Sequence, residues 1–249
     1  MRITDHLAIA ASLQFGLAGL LDCHVYALRG EKGVVLIDAG AGDSSVPLLE
    51  NVKKEFAGEK IVALLITHAH LDHCGGAGAI REASGCQVIS PFMSRDILES
   101  GDEEASGLRR AREQGLYPPE FRLHACRVDR EVRDLEKFEA GGIEFTALHV
   151  RGHSPDGFCY YTQMGSQKWL FSGDSVFYGG VLGVINADGS GMEGYRQDLS
   201  KLGGLGIDGL FPGHGLFTLR DGQRHIDCAL QQLEKGFLGR QIGQGELLF

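Results

Sequence analysis

Short apolar runs separated by turn-forming residues recur along the chain and predict the strands of a β-sheet. The runs at 23–28 and 33–37 flank a polar turn, which predicts a β-hairpin. The run at 61–66 is continuously apolar and fits a strand that is buried on both faces. Further strands are predicted at 86–89, 123–128, 143–150, 157–162 and 168–171.

Helices are predicted between several of these strands. The segments 46–56 and 76–83 are helix-like, and apolar residues in 192–202 and 226–237 follow the 3-4-3 spacing of one helix face. This alternation predicts sheet layers flanked by helices. The charged segment 92–121 interrupts it with two helix-like pieces and a Tyr-Pro-Pro stop. We therefore expect one domain over 1–249, with a helical insertion at about 92–121 that could serve as a lid or as an interface.

Charge and cysteine content narrow the classes of partner. The 24 Lys and Arg against 33 Asp and Glu leave a net charge of −9, which argues against binding a nucleic-acid backbone. The longest apolar run is far shorter than the roughly 20 residues that span a bilayer, and the N-terminus has no clear cleavage signal. Six scattered cysteines without a C-x-x-C pair are typical of reduced cytosolic thiols. A cytoplasmic protein without nucleic-acid or membrane partners is expected.

The densest polar feature is the heptapeptide 67–73, Thr-His-Ala-His-Leu-Asp-His, which follows the 61–66 run directly. Three imidazoles and a carboxylate within six residues are hard to explain as packing, because Asp is almost never buried alone. A turn at a strand end can direct all four side chains to one point, where a divalent metal would bind them. Nitrogen and oxygen ligands suit zinc, with manganese and iron as alternatives. A polar surface turn is the less favoured interpretation.

Three further candidate ligands stand at predicted strand ends, each followed by small or turn-forming residues: His153, Asp174 and His214. Each alone is a weak signal, because a lone His beside Gly is more often a turn residue than a ligand. Their recurrence is the stronger signal, since strand ends collect on one edge of a sheet. The sequence thus predicts a site of seven side chains.

With these residues in this order, the chain resembles the metallo-β-lactamase superfamily of hydrolases, from about Asp38 to His214. The resemblance implies an α+β fold, a four-layer αββα sandwich of two mixed β-sheets flanked by helices. It also implies a dinuclear site in which the ligands divide as follows: His68, His70 and His153 on one ion, Asp72, His73 and His214 on the other, and Asp174 bridging them. Asp38 resembles the carboxylate of the family that orients a ligand imidazole, with a turn-forming Asp as the equally weighted alternative.

The implied cofactor is a pair of divalent ions, zinc before iron or manganese. Two such ions about 3.5–4 Å apart can hold a bridging water and lower its pKa, so that hydroxide attacks a carbonyl or phosphoryl centre. Asp72 or Asp174 is expected to accept the proton, which makes both candidate catalytic residues. Cys74, directly after the motif, is interpreted as a packing residue, and so are the other five cysteines, Cys23 among them.

The position of Asp174 favours an ester, thioester or lactone hydrolase over a true β-lactamase, since Asp there resembles glyoxalase II and the acyl-homoserine lactonases. Only 35 residues follow His214, which is enough for one helix and a tail. The helical glutathione-binding domain of glyoxalase II is therefore not expected, and a glutathione thioester is the less expected substrate.

Three other classes of function are less favoured. A mononuclear iron dioxygenase acting on a persulfide is the runner-up, and metal identity and number distinguish it from the hydrolase. The acidic charge disfavours a nuclease or phosphodiesterase, and the complete ligand set disfavours a non-catalytic binding module. Arg109, Arg110 and Arg112 could meet an anionic substrate, although a solvated helix face is the favoured interpretation. The expected partner is a small-molecule substrate, and a homodimer is compatible with the resemblance and the insertion.

Overall fold

The structure is a computed structural model that describes residues 1–236 and residue 241. The chain divides into two compact units. The first unit contains Met1–Val132 and Ala140–Gly142, and the second contains Arg133–Glu139 and Ile143–Phe249. Residues 237–240 and 242–249 lie outside the described part, as does the last position of the helix predicted over 226–237.

A six-stranded mixed sheet forms the centre of the first unit, with its strands side by side in chain order. The strands are β1 (Leu7–Ala11), β2 (Val25–Gly30), β3 (Gly33–Ile37), β4 (Ile61–Leu65), β5 (Gln87–Pro91) and β6 (Arg130–Val132). The pairs β1–β2 and β2–β3 are antiparallel, and the three pairs from β3 to β6 are parallel. The predicted hairpin is β2–β3, and the continuously apolar run is β4, a central strand. Both predictions are confirmed.

Five helices belong to the first unit: α1 (Ser45–Glu55), α2 (Leu71–Cys74), α3 (Ala77–Ser84), α4 (Arg95–Ser100) and α5 (Leu108–Glu113). Leu48 and Val52 lie one turn apart on α1 and are buried in the core of this unit, together with Ile80 of α3. The helix α3 ends at Gly85, whose φ of +70° suits the left-handed C-terminal position. The short helices α4 and α5 lie within the segment 92–121.

The predicted strand at 123–128 is wrong. These residues form no strand, and the backbone donors of Cys126 and Val128 bond to α4 instead of a sheet. The Cys126 N–H donates to the carbonyl of Leu98 at 2.8 Å, and the Val128 N–H donates to the Glu99 carboxylate at 3.1 Å. Leu123, Cys126 and Val128 are nevertheless buried. The apolar pattern therefore predicts their burial correctly and their pairing in a sheet incorrectly.

The second unit contains a five-stranded mixed sheet. In chain order its strands are β7 (Lys137–Ala140), β8 (Ile143–His149), β9 (Phe158–Met164), β10 (Gln167–Gly173) and, later in the chain, β13 (Gly209–Pro212). The spatial order is β13-β10-β9-β8-β7, with β13 parallel to β10 and antiparallel pairs between β8, β9 and β10. A separate small hairpin is formed by β11 (Val176–Phe177) and β12 (Val181–Leu182).

Two helices complete the described part of the second unit: α6 (Met192–Asp198), which continues as a 3-10 turn to Leu202, and α7 (Gly222–Glu234). Tyr195, Leu199 and Leu202 are fully buried, as the 3-4-3 spacing predicts. They pack in one core with Ile226 and Ala229 of α7. Every helix in the described residues is too short or too polar to cross a lipid bilayer. Each unit is thus a mixed sheet with helices against it.

Candidate metal centre

The seven predicted ligands fall into two clusters. We define the first cluster as His68, His70, Asp72 and His73, all in the first unit. We define the second cluster as His153, Asp174 and His214, all in the second unit.

The first cluster lies at the carboxyl end of β4. Since β3 and β4 are parallel neighbours, Asp38 after β3 and Thr67 after β4 leave the sheet at the same edge. The chain passes through His68 and His70 in an extended turn and then enters α2, which carries Asp72 and His73.

The side chains of the first cluster approach one another in two pairs. His68 Nε2 lies 3.0 Å from His70 Nδ1, and His73 Nε2 lies 3.5 Å from Asp72 Oδ2. Two nitrogen ligands of one tetrahedral zinc lie about 3.3 Å apart, because each Zn–N bond is about 2.0–2.1 Å long. Both separations are therefore suitable for a pair of groups that share one ion.

Hydrogen bonds on the other ring nitrogens set the tautomers of two of these imidazoles. The Thr67 hydroxyl donates to Asp38 Oδ2 at 2.9 Å, so at 3.0 Å it accepts from His68 Nδ1. His73 Nδ1 donates to Asp38 Oδ2 at 2.8 Å. With the proton on Nδ1 in both rings, Nε2 carries the lone pair that a metal needs. The contact predicted for Asp38, with an imidazole of the motif, is present.

Asp38 is held in an unusual backbone conformation for this contact. Its φ is +65°, a region that Asp tolerates better than most residues, and its Oδ1 accepts from the Thr67 N–H at 2.8 Å. Burial raises the pKa of the Asp38 carboxyl, against the lowering influence of His73. The Cys23 thiol lies beside the pair, with its sulfur within 4.8 Å of their ligand atoms. Burial raises the pKa of this thiol, which supports its interpretation as a packing residue.

Tyr117 also contacts the first cluster, and the sequence predicted it only as part of a helix stop. Its hydroxyl donates to Asp72 Oδ1 at 3.0 Å. Burial, together with the Asp72 carboxylate, raises the pKa of Tyr117 well above 10, so the phenol remains a donor. The two residues are 45 positions apart, and no local spacing connects them.

The second cluster also lies at strand ends. The strands β8, β10 and β13 run in one direction, since β9 is antiparallel to both β8 and β10. His153, Asp174 and His214 follow these three strands. Asp174 Oδ2 lies 3.5 Å from His153 Nε2 and 3.6 Å from His214 Nε2. One carboxylate oxygen between two imidazoles is an arrangement in which Asp174 can serve as a shared ligand.

Backbone and packing groups orient His153. Its Nδ1 lies 2.6 Å from the carbonyl oxygen of Gly183, which can only accept, so Nε2 carries the lone pair. The Gly183 N–H donates to the Tyr195 hydroxyl at 3.0 Å. A Cβ atom at Gly183 would overlap the carbonyl oxygen of Asp174. Gly152 has a φ of +135° and lies against the ring of Tyr195, so both glycines are needed for this packing. Tyr195 therefore supports the cluster as a buried packing residue.

An ion-pair network fixes the residue before Gly152. Asp198 accepts from the Arg151 guanidinium at 2.5 and 3.2 Å and from its backbone N–H at 3.2 Å. Lys201 adds a contact at 2.9 Å. Although burial alone would raise the pKa of Asp198, the hydrogen bonds from Arg151 and Lys201 lower it to about 2.

Of the three arginines that could meet an anionic substrate, Arg109 and Arg112 are paired with carboxylates. Arg112 donates to Glu103 at 2.5 Å and to the Phe121 carbonyl at 2.7 Å. Arg109 lies 2.6 Å from Glu104 and is largely exposed. These contacts favour the interpretation of Arg109 and Arg112 as structural residues of the insertion.

Comparison with known proteins gives a family and a fold. The family model for the metallo-beta-lactamase superfamily matches residues 18–214. The human acyl-coenzyme A thioesterase MBLAC2 is 26% identical over 208 residues, which cover 77% of this chain and 72% of that protein. The probable hydroxyacylglutathione hydrolase glo2 of Schizosaccharomyces pombe is 26% identical over 174 residues, or 68% of this chain and 55% of that protein.

Among solved structures, the subclass B3 metallo-beta-lactamase BJP-1 of Bradyrhizobium japonicum superposes with a TM-score of 0.65. The sequences are 23% identical, and the superposition covers 86% of each chain. At this identity the likeness concerns the fold alone. It confirms the predicted α+β metallo-β-lactamase fold.

Proposed function

The chain belongs to the metallo-beta-lactamase superfamily, and on that basis we propose that it is a hydrolase that uses two divalent metal ions, zinc before iron or manganese, to cleave an ester, thioester or lactone bond in a small molecule. The matched region includes all seven predicted ligands, from His68 to His214.

The observation that carries this proposal is the pairing of side chains inside each cluster. His68 lies against His70, Asp72 lies against His73, and Asp174 lies against both imidazoles of the second cluster. These are the groupings that the family resemblance implies: a pair on one ion, a pair on the other, and a bridging carboxylate. We propose that the two clusters hold the same two ions.

The donor set is suited to such ions. Imidazole and carboxylate groups are ligands of zinc, and three of the imidazoles have Nδ1 held by Thr67, Asp38 or the Gly183 carbonyl. When bound, two divalent ions would lower the pKa of a water toward neutrality and polarise the substrate oxygen.

Carboxylates of the protein transfer the proton in the proposed reaction. In the proposed reaction, the water oxygen forms a bond to the acyl carbon, and the bond from that carbon to the leaving oxygen or sulfur breaks. Asp72 or Asp174 takes the proton of the attacking water and returns it to the leaving group.

Thioesters are the first substrate class to test. One relative is named an acyl-coenzyme A thioesterase and another a hydroxyacylglutathione hydrolase. We extend that class to this chain as a proposal, with simple esters and lactones in the same screen. A small molecule is the proposed partner, without nucleic acid or membrane. The cytoplasm as compartment and a homodimer as assembly stay predictions from the sequence.

The test is metal content per chain by elemental analysis, on protein purified without chelator or a metal-affinity column. About two zinc ions per chain, with hydrolysis of a thioester or lactone, would support the proposal. About one iron per chain, with oxygen consumption in the presence of a persulfide, would replace it with the dioxygenase.

A variant pair tests the ligands themselves. His68→Ala is expected to lose metal and hydrolysis, whereas His124→Ala changes an exposed imidazole and is expected to behave as wild type. If His68→Ala retained both full metal content and full activity, the assignment of the site would be wrong.

A further inference from the structure

Tyr117 brings the insertion into contact with a candidate ligand. We infer that it is a positioning residue for one metal ion, the one that we propose for Asp72 and His73. This inference rests on the proposed function, because it presupposes the metal centre. The segment 92–121 then acts in the reaction by positioning a metal ligand, in place of the roles of lid or dimer interface.

The two oxygens of Asp72 have different neighbours. Oδ1 accepts from the Tyr117 hydroxyl at 3.0 Å, and Oδ2 lies 3.5 Å from His73 Nε2. A carboxylate can bind a metal through one oxygen or through both. The hydrogen bond on Oδ1 favours metal binding through Oδ2, which lies beside the nitrogen of the other ligand. The hydrogen bond also prevents the carboxylate from rotating away from His73.

Tyr117 is held firmly enough for this task. Its ring is half-buried, packs against the core of the first unit and lies 6.1 Å from the ring of Phe121, centroid to centroid. Two prolines, whose φ angles are restricted, follow it directly. Arg112 ties the same loop down, since it donates to the Phe121 carbonyl and to Glu103.

Glu103 links Arg112 to the backbone at the end of the loop. One of its carboxylate oxygens accepts a hydrogen bond from the Arg112 guanidinium, and the other accepts one from the Leu123 N–H at 3.3 Å. The hydrogen bond from Arg112 lowers the pKa of Glu103, so the pair is charged near neutral pH. These hydrogen bonds fix the chain on both sides of Tyr117. They hold the phenol in the position from which it donates to Asp72.

The substitution Tyr117→Phe tests the inference because it keeps the ring and its packing and removes only the donor. Tyr161→Phe is the matched control, because it removes the same hydroxyl oxygen. Tyr161 is also half-buried and lies on β9, apart in sequence from every candidate ligand. The melting temperatures of the metal-free proteins, wild type and both variants, show whether either change disturbs the fold.

The measurement is a zinc titration of metal-free protein against a competing chelator, which resolves the affinities of the two ions. Wild type and Tyr161→Phe are expected to give the same two affinities. Tyr117→Phe is expected to keep one of them and to weaken the other roughly 10–100-fold, the usual effect of removing a group that orients a ligand. Replacement of zinc by cobalt adds a spectroscopic signature. The visible absorption of one cobalt ion should change in Tyr117→Phe, as Asp72 becomes free to bind through both oxygens.

The outcomes separate this inference from the proposed function. If wild type binds two ions and Tyr117→Phe binds them with unchanged affinities and an unchanged cobalt spectrum, Tyr117 is a packing residue only. An equal weakening of both ions, with a lowered melting temperature of the metal-free variant, would also overturn the positioning role. If wild type binds no metal, the proposed function fails and the inference fails with it.

Discussion

Groups that are not themselves candidate ligands decide the orientation of three imidazoles. Thr67 accepts from His68, Asp38 accepts from His73, and the Gly183 carbonyl accepts from His153. Each contact places the proton on Nδ1 and leaves Nε2 as a ligand atom. Holding the rings in advance reduces the entropy lost when a metal binds, so these three acceptors contribute to affinity without touching the ion.

Gly183 offers the sharpest test at the scale of a single residue. The change Gly183→Ala places a Cβ atom on the carbonyl oxygen of Asp174, so the backbone must move. Because the Gly183 carbonyl holds His153, we expect metal affinity to fall at least tenfold. The free energy of unfolding should fall by about 1–3 kcal/mol, as for other overpacking changes. Chelator competition and urea unfolding measure the two effects.

Gly191→Ala is the matched control for that variant. Gly191 has open space where a Cβ would lie and a φ of 163°, which is extended backbone that any residue adopts. The control should retain wild-type metal affinity. Equal behaviour of the two variants would contradict the view that contact at Gly183 orients the second cluster.

At the scale of elements, parallel strands explain why both clusters form. Asp38 and Thr67 meet because β3 and β4 are parallel neighbours, and Asp174 meets His214 because β10 and β13 are. The strands β3, β4 and β10 are predicted by apolar runs that end in turns, whereas β13 is marked in the sequence only by a pair of apolar residues. The segment 123–128 has the same apolar pattern, but the backbone N–H groups of Cys126 and Val128 donate to α4 and not to a neighbouring strand. Whether a segment pairs as a strand depends on whether a sheet offers it an open edge, and the apolar pattern of that segment does not contain this information.

The helix α6 supports the second cluster through Asp198, and this support depends on pH. The pKa of Asp198 is lowered from 3.8 to about 2, so its carboxylate stabilises the folded protein above about pH 4. That contribution, about 2 kcal/mol by the size of the shift, declines as the pH falls from about 4 to about 2. Asp198→Asn should therefore lower the free energy of unfolding at pH 7 by about 2 kcal/mol, and the difference from wild type should shrink toward pH 2.

Urea unfolding at a series of pH values measures this, and Glu193→Gln is the control. Glu193 is on the same helix, but its pair with Arg196, 3.6 Å away, is exposed. Such pairs contribute roughly 0.2–1 kcal/mol, so the control should differ little from wild type at any pH. A difference between wild type and Asp198→Asn that stayed constant down to pH 2 would contradict the role given to the carboxylate.

At the scale of the whole molecule, the proposed function assigns ligands of both clusters to the same ions, and it therefore predicts that metal binding stabilises the folded chain. Removal of metal with a chelator is expected to abolish hydrolysis and to lower the melting temperature. With free zinc at 100 times the dissociation constant of a site, each ion stabilises the folded chain by about 2.7 kcal/mol. In a chain of this size that corresponds to roughly 5–10 °C. Differential scanning calorimetry with and without zinc measures the shift.

Restoration by zinc is the control for this prediction. Adding zinc after the chelator should recover both activity and melting temperature in wild type, and recover less of either in His68→Ala. An unchanged melting temperature after complete metal removal would show that the ions do not link the two clusters.

The sequence by itself determined which residue types could bind metal, their order along the chain and the family they resemble. It could do so because these features are local: a dense His and Asp turn after a buried strand, then three more ligands at strand ends. Only the tertiary structure decided which groups orient them. Tyr117 meets Asp72 across 45 residues, and Gly183 meets His153 across 30. Contacts of this kind arise when loops from separate elements pack at one sheet edge, and no periodicity along the chain encodes them.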